Sequence, residues 1–245
     1  MIELLLTSAI LFFAAAIQSL TGFGLALLAV PFLLFLYDPQ IVVPVVLTGG
    51  AALTVMLFIE SYRRMKPGQI LYLLLGGIPG LPIGVHLLTE FSAALLKVVI
   101  GLTVTCFAVL LSLGLSKRFA RERLTGMGVG LISGVLAGST SMLGPPVILF
   151  GVNQDWDKES LRANLIGYAF FLLLAAVVVS QRFGLITSSV VQICLVASAP
   201  IFLGFIVGVK LKRKVSQRLF RRLALFLALF GGLLSLTDGL DFGPF

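Results

Sequence analysis

Gln18-Ser-Leu-Thr-Gly-Phe-Gly24 interrupts a long apolar run near the N-terminus with polar residues and glycines. A second interruption of this kind, Gly138-Ser-Thr-Ser-Met-Leu-Gly-Pro-Pro146, follows at an offset of 120 residues. We call these segments the first break and the second break. The offset aligns three pairs of similar residues, Ser19 with Ser139, Thr21 with Ser141, and Gly24 with Gly144. Glycine-interrupted apolar segments at corresponding positions of two halves indicate the substrate site of a secondary transporter.

The composition is that of an integral membrane protein. Of the 245 residues, 59% are hydrophobic and 11% are charged, whereas soluble domains carry about 25% charged residues. The mean hydropathy is +1.12. The net charge of +8 arises from basic residues in short loops beside apolar segments, where such residues set membrane topology. We therefore expect the chain to lie in a lipid bilayer, and we expect no nucleic-acid partner.

Eight apolar segments follow one another along the chain: 4–36, 40–60, 68–89, 94–115, 124–151, 163–181, 185–209 and 219–236. Six of them are close to the ~20 residues that a spanning helix needs. The first and fifth are too long, since a straight helix over 4–36 would measure about 50 Å against a hydrocarbon core of about 30 Å. These two segments contain the breaks. Each is either one long broken helix or a re-entrant hairpin of two half-helices.

The distribution of the basic residues favours the hairpins. If all eight segments crossed, the 18 Lys and Arg residues would divide almost equally between the two sides. With two hairpins, the loops at 60–67, 116–123, 152–162 and 210–222 all face the cytoplasm and hold 16 of the 18. The positive-inside rule prefers the second arrangement.

The sequence thus predicts an all-α integral membrane protein with an inverted repeat. The first repeat is 1–117 and the second is 118–245, and each consists of a re-entrant hairpin followed by three transmembrane helices. The pairs Gly80/Gly84 and Gly204/Gly208 recur at an offset of 124. Their small-xxx-small spacing predicts closely packed helices.

The two breaks are the predicted binding site. Gly24 would begin a half-helix Leu25–Leu36, and Pro145 and Pro146 would begin another at Val147–Phe150. Helix N-termini carry unpaired N–H groups and a partial positive charge, which suit an anion. For each single residue, tight packing or a hydrogen bond to the local backbone is the alternative. The candidate substrate-binding residues of the breaks are Ser19, Thr21, Gly22, Gly24, Ser139, Thr140, Ser141 and Gly144.

Three further candidates begin the sixth segment. Arg162 is the basic residue best placed to reach the site, and a guanidinium fork suits oxyanions. Asn164 and Tyr168 follow on one helix face, because they are four residues apart. For Arg162, an interfacial anchor beside Asp157 and Glu159 is the alternative.

The acidic residues bear on the charge of the substrate. All ten Asp and Glu residues lie at segment ends or in loops, whereas cation carriers and proton-driven carriers usually have a carboxylate within the membrane. This distribution favours an anionic substrate. The single histidine, His86, and the two cysteines have no metal-binding spacing, and no catalytic set is recognisable. We expect no metal, no cofactor and no enzymatic activity.

On these motifs the chain resembles the TauE/SafE family of sulfite and organosulfonate exporters over nearly its whole length. The resemblance rests on the first break, the second break and the two four-segment halves. It implies export of a small sulfur-containing anion, such as sulfite or an organosulfonate, across a bacterial or archaeal inner membrane. It implies that residues 19–24 and 139–144 are the functional residues of the two breaks. Family members are richer in glycine directly after the positions of Gly24 and Gly144, where this chain has Leu25-Ala26 and Pro145-Pro146.

Alternating access to a site at mid-membrane is the expected mechanism. Two alternatives remain open at this point, an anion channel of the same fold and a transition-metal cation carrier. The expected partners are a small anionic substrate and the bilayer, with a homodimer left open.

Overall fold

The computed structural model describes residues 2–113, 122–211 and 217–241, with side chains for 2–110, 122–211 and 226–240. These residues are almost entirely helical and include no strand. The helices are α1 (Ile2–Thr21), α2 (Leu25–Leu33), α3 (Pro39–Ser61), α4 (Pro67–Glu90), α5 (Ala93–Leu113), α6 (Glu122–Thr140), α7 (Gly144–Asn153), α8 (Lys158–Arg182), α9 (Ser188–Leu211) and α10 (Gln217–Asp241). A short 3₁₀ helix, Tyr62–Arg64, follows α3. Six described helices are long and apolar enough to cross a membrane, and the predicted all-α, multi-pass membrane fold is confirmed.

Most predicted segments agree with the helices to within three residues at each end. The largest difference at a helix start is in α8, which begins at Lys158 rather than at 163. Asp157 caps this helix, since its carboxylate accepts a hydrogen bond of 2.9 Å from the Ser160 N–H. Hydropathy does not detect such a polar first turn. The predicted repeat boundary at 117/118 and the basic residues at 116–121 and 212–216 lie outside the described residues.

The first long segment turns back on itself. α1 ends at Thr21 and α2 begins at Leu25, and we call the turn between them, residues 22–24, tip 1. The Thr7 hydroxyl donates to the Tyr37 hydroxyl at 3.2 Å. This contact brings the chain that follows α2 back to the early turns of α1, so the segment is a hairpin. α2 ends at Leu33, three residues before the predicted end.

The second long segment also turns back. α6 and α7 are joined by residues 141–143, which we call tip 2. A Cβ added to Gly126, in the second turn of α6, would lie 3.4 Å from Cζ of Phe150, near the end of α7. The Ser133 hydroxyl donates to the Leu143 carbonyl at 2.6 Å and holds tip 2 against α6. α7 extends beyond the predicted half-helix at both ends.

Contacts between distant loops fix which helix ends lie together. Arg64 Nη1 is 2.6 Å from Glu159 Oε2, which joins the loop after α3 to the start of α8. Lys97 Nζ is 2.6 Å from Asp238 Oδ2, which joins the start of α5 to the end of α10. Eight straight crossings would separate the members of both pairs by the thickness of the membrane. Two hairpins bring them together.

The helices α1–α3 and α6–α8 correspond at an offset of 119 residues. α1 ends at Thr21 and α6 at Thr140, and positive φ angles follow at Gly22 (90°) and Ser141 (64°). The offset of 120 predicted from the sequence is therefore wrong by one residue in this part. The register of 119 aligns Thr21 with Thr140 but places Gly24 opposite Leu143, so residue types favour 120, and only the helix ends and the backbone conformation indicate 119. The opposite orientation of the two halves in the membrane stays a prediction.

Each hairpin packs along a helix of the other half. In the contact of α6 with α4, Gly134 lies against the Gly77 carbonyl, and in the contact of α1 with α9, a Cβ on Gly208 would lie 2.6 Å from Cβ of Ser19. The four glycines that the spacing assigned to close packing, Gly80, Gly84, Gly204 and Gly208, all lie in these two contacts. Their lack of a side chain lets the helix backbones approach.

Candidate substrate-binding site

A cavity of about 50 Å³ lies between the two tips. One wall is formed by residues 22–27, from tip 1 and the start of α2, and another by 141–145, from tip 2 and the start of α7. The remaining walls come from Gln18 of α1 and from α3 and α8, through Val46, Gly50, Leu165, Ala169 and Leu173. Gly50 is the middle residue of α3, and Ala169 lies next to the middle of α8. The cavity is therefore halfway along two membrane-spanning helices.

Gln18 connects α1 to the start of α2. Its Oε1 accepts a hydrogen bond of 3.1 Å from the Leu25 N–H, which fixes the orientation of the amide. The Nε2 group makes no hydrogen bond to a described residue, and it has two N–H donors. Gln18 was not among the predicted site residues. The signal for it was an amide within an apolar helix, which needs a polar partner.

The first turn of α2 presents backbone donors to the cavity. Gly24, with φ of 114°, precedes this helix and makes no side-chain cap. The Leu28 N–H bonds to the Gly24 carbonyl at 3.1 Å. The N–H groups of Ala26 and Leu27 come before this bond, so they have no partner within the helix. Both residues line the cavity, and the N-terminus of α2 is thus suited to an anion.

The start of α7 offers fewer donors. Pro145 and Pro146 have no N–H, so Gly144 supplies the single N–H among the first three residues of this helix. The Ser141 side chain lines the cavity, and its hydroxyl makes no hydrogen bond to a described residue. The tips also touch each other, because a Cβ on Gly144 would lie 3.5 Å from Cβ of Phe23. The two sides of the cavity are chemically different.

The other four predicted hydroxyls bond to the nearby backbone. Three donate to the carbonyl four residues earlier at 2.7–2.8 Å: Ser19 to Ala15, Ser139 to Val135, and Thr140 to Leu136. The Thr21 hydroxyl is shared between the Ile17 carbonyl at 2.8 Å and the Phe23 carbonyl of tip 1 at 2.6 Å. Such bonds are common for Ser and Thr within helices. None of these four side chains is in the cavity wall. Of the eight candidates from the breaks, the structure brings Gly22, Gly24, Ser141 and Gly144 to the cavity.

Asn164 and Tyr168 are fully buried, but they are not in the cavity wall. Asn164 Nδ2 donates to Gln69 Oε1 at 2.6 Å, and Asn164 Oδ1 accepts from the Lys66 N–H at 2.8 Å. The Tyr168 hydroxyl faces the Gly130 carbonyl of α6 at 3.5 Å. The i,i+4 spacing does place both residues on one face of α8. That face contacts α4 and α6 rather than the cavity.

Arg162 lies behind tip 1. Its Nη2 is 2.9 Å from the Ser19 carbonyl oxygen and 3.1 Å from Glu60 Oε2, and its Nη1 is 3.3 Å from Ser61 Oγ. A Cβ on Gly22 would lie 2.7 Å from Arg162 Cγ, so tip 1 rests on the arginine stem. Gly22 stands between Arg162 and the cavity.

The cavity wall formed by the described residues contains no Lys, Arg, His or Cys. Among the described residues, no group of three or more His, Cys, Asp or Glu is placed to hold a metal ion. His86 is exposed near the end of α4, with Nδ1 4.0 Å from Glu90 Oε1. No Asp or Glu is among the described residues of the cavity wall. The wall therefore combines hydrogen-bond donors with apolar side chains.

Comparison with known proteins places the chain in a family. The family model for the sulfite exporter TauE/SafE matches residues 7–234, which include all of the second hairpin, all but the first turn of the first hairpin and every residue that lines the cavity. No curated protein and no solved structure matches the chain. The chain belongs to the TauE/SafE sulfite exporter family and is a multi-pass membrane protein of a transporter family.

Proposed function

We propose that the protein moves a small sulfur-containing anion, such as sulfite or an organosulfonate, across the membrane by alternating access. The anion binds between the two tips. The observation that carries this proposal is the convergence of donors on one cavity whose described wall has no carboxylate. The proposed donors are Gln18 Nε2, the backbone N–H groups of Ala26, Leu27 and Gly144, and the Ser141 hydroxyl.

The size of the cavity supports a small substrate. A volume of about 50 Å³ holds a few water-sized atoms, since one water needs about 10–15 Å³. Sulfite has four non-hydrogen atoms, and it fits this description better than a long organosulfonate does. The apolar side chains of Leu165 and Leu173 exclude water, and hydrogen bonds to an ion are stronger in such surroundings.

The position of the cavity supports a carrier. It lies halfway along α3 and α8, between hairpins whose tips meet there. A movement of either hairpin would open the cavity toward one end while the other hairpin keeps it closed. Binding sites at the interface of two repeats are typical of alternating-access carriers. Export from a bacterial or archaeal cell across its inner membrane is part of this proposal.

Thermal unfolding of the detergent-purified protein tests the substrate class. The ligands are sulfite, thiosulfate, sulfate, sulfoacetate, taurine, chloride and divalent metal ions. A ligand of the folded state adds about 2.7 kcal/mol at 100 times its Kd and raises Tm. We expect an increase in Tm with at least one sulfur anion and none with metals. An increase with a metal alone would contradict the proposal.

Counterflow in proteoliposomes tests the mechanism. Vesicles loaded with unlabelled anion should transiently accumulate the labelled anion against its gradient. A carrier takes up a labelled anion from outside for each unlabelled anion that it releases. A channel of the same fold would give downhill flux without this accumulation. That result would contradict the carrier mechanism and favour a channel.

A further inference from the structure

Arg162 joins three elements at one end of the cavity. Its Nη2 contacts the Ser19 carbonyl at the end of α1 and the Glu60 carboxylate at the end of α3. The side chain is only 13% exposed, although Arg162 lies in the second turn of α8. Its stem lies against Gly22, which is part of the cavity wall. Gly22 therefore lies between the stem of Arg162 and the cavity.

The guanidinium group has an unused donor. Arg162 Nε is buried and makes no hydrogen bond to a described residue. Glu60 meets the guanidinium at Nη2, at a distance of 3.1 Å. Arginine commonly binds an oxyanion through two parallel N–H bonds. The Nε–H is thus free to form one of two such bonds with an incoming oxyanion.

The equivalent positions in the first half of the chain lack this pair. At the offset of 119 that relates α3 to α8, Arg162 corresponds to Val43, and Glu60 corresponds to Val179. Both valines are uncharged, so the Arg162–Glu60 ion pair behind tip 1 has no counterpart at the equivalent positions of the other half. This difference is not expected from the packing of a symmetric repeat.

We propose that Arg162 is an inner subsite for the substrate oxyanion, and that Glu60 occupies this subsite when no anion is there. The Glu60 carboxylate and the substrate oxyanion both present negatively charged oxygens that suit a guanidinium fork. The Glu60 side chain is 29% exposed, so its carboxylate has a path to solvent when an anion displaces it.

Displacement of Glu60 also loosens the closure of the cavity. Arg162 holds the end of α1 and the end of α3 at the same time. When the anion replaces Glu60, the link from tip 1 to α3 is reduced to the 3.3 Å contact of Arg162 Nη1 with Ser61, and the cavity opens toward this end. The identity of the anion rests on the proposed function, but closure by the Arg162–Glu60 pair does not.

A reporter cysteine in the cavity wall tests the closure. Ala169→Cys is introduced into a chain whose Cys106 and Cys194 are replaced by serine. Its reaction with a membrane-impermeant thiol reagent is measured from the end that bears Glu60. Glu60→Gln keeps the size of the side chain and removes its charge.

Two matched variants accompany this measurement. Glu159→Gln removes another carboxylate at the same end, which is 70% exposed and paired with Arg64. Glu60→Asp keeps the charge at the position tested. We expect Glu60→Gln to raise the labelling rate by about tenfold, the effect of about 1.4 kcal/mol. Glu159→Gln should stay within about twofold of the parent. Glu60→Asp should be labelled more slowly than Glu60→Gln, because it keeps the charge that pairs with Arg162. An unchanged rate in Glu60→Gln would overturn the closure.

The subsite is tested by affinity. Removal of a competing carboxylate should lower the Kd for the sulfur anion in Glu60→Gln by about tenfold, measured by the anion dependence of Tm. An unchanged Kd together with faster labelling would contradict the oxyanion subsite at Arg162 but would support closure by the Arg162–Glu60 pair. Faster labelling without any effect of a sulfur anion on Tm would support the closure and contradict the proposed function.

Discussion

Arg64 and Glu159 form an ion pair of 2.6 Å between the 3₁₀ helix after α3 and the first turn of α8. The two side chains are 66% and 70% exposed, and such surface pairs add little to stability. The pair is informative because 94 residues separate its members. It places the loop after the first three elements beside the loop after the second hairpin.

Cysteine labelling tests this arrangement in a membrane. Single cysteines are placed at Arg63 and Lys158 for one end, and at Ser92 and Arg182 for the other, in a chain without its native cysteines. We expect an impermeant reagent to label Arg63→Cys and Lys158→Cys from the same side, because two hairpins that do not cross the membrane would leave both loops on one face. The other two should react from the opposite side. Labelling of Arg63→Cys together with Arg182→Cys would indicate eight crossings instead.

Two serines of the second break distinguish a ligand contact from a helix contact. Ser141 lines the cavity with a free hydroxyl, whereas the Ser139 hydroxyl donates to the Val135 carbonyl at 2.8 Å. We expect Ser141→Ala to weaken binding of the sulfur anion by about 10–100-fold, since a hydrogen bond to a charged group contributes about 1.5–3 kcal/mol. Ser139→Ala is the matched control and should change the Kd by less than about threefold. Equal effects of both variants on the Kd would contradict a contact between the Ser141 hydroxyl and the anion.

The side-chain amide of Gln18 gives a test based on charge. Gln18→Glu keeps an oxygen that accepts the Leu25 N–H, but it exchanges two donors for a negative charge beside the bound anion. We expect the Kd of the sulfur anion to rise by more than about tenfold, because like charges repel strongly in a poorly solvated cavity. Gln181→Glu adds the same charge at an exposed position near the end of α8. This control should bind like the parent, and equal binding by both variants would contradict the role of Gln18.

The roles of hydroxyls in the breaks could not be predicted from their residue types. Ser139, Thr140 and Ser141 are consecutive, yet only Ser141 lines the cavity, because the helix ends at Thr140. A hydroxyl one residue earlier still reaches the carbonyl four residues before it. Hydropathy and the positions of the basic residues predicted that the two long segments turn back on themselves, as they do in the structure. That neither hairpin crosses the membrane stays a prediction.

The partner of Arg162 was also beyond prediction from the sequence. The acidic residues near it in the chain, Asp157 and Glu159, bind the Ser160 N–H and Arg64. Its observed partner, Glu60, is 102 residues earlier. The two meet because the end of α3 packs against the start of α8, and this depends on the folded arrangement of both halves.

The contact between α4 and α6 gives a prediction about stability. A side chain at Gly134 would overlap the Gly77 carbonyl, whereas a Cβ at Gly128, on the same helix, would meet no atom within 4 Å. We expect Gly134→Ala to destabilise the protein by about 1–3 kcal/mol, the usual cost of overpacking. Gly128→Ala should be neutral or stabilise by up to about 1 kcal/mol through helix propensity. The Tm of both variants in detergent is the measurement, and a loss in Gly128→Ala as large as in Gly134→Ala would contradict the close packing.

The helix caps of α8 and α3 form a second matched pair. Asp157 precedes α8 as its N-cap and accepts a hydrogen bond from the Ser160 N–H, whereas Asp38 precedes α3 at the equivalent position and makes no side-chain cap. We expect Asp157→Ala to lower Tm and Asp38→Ala to lower it less, because only the first loses a hydrogen bond. Asp157→Asn should stay near the parent, since asparagine is an equally good N-cap. Equal losses in the two alanine variants would show that the cap contributes nothing.

The contribution of Asp157 to the stability of the folded protein depends on pH in a defined direction. Hydrogen bonds from the Ser160 side chain and backbone lower the pKa of the Asp157 carboxyl below its ordinary value of 3.8. A carboxyl whose pKa is lower in the folded state than in the unfolded state stabilises the fold above the unfolded pKa. The stabilisation is therefore complete at neutral pH, and it declines as the pH falls below about 3.8 and through the folded-state pKa. We expect the difference in Tm between the parent and Asp157→Ala to narrow over that range. A difference that stays constant from pH 7 to pH 3 would mean that the carboxylate charge has no part in the cap.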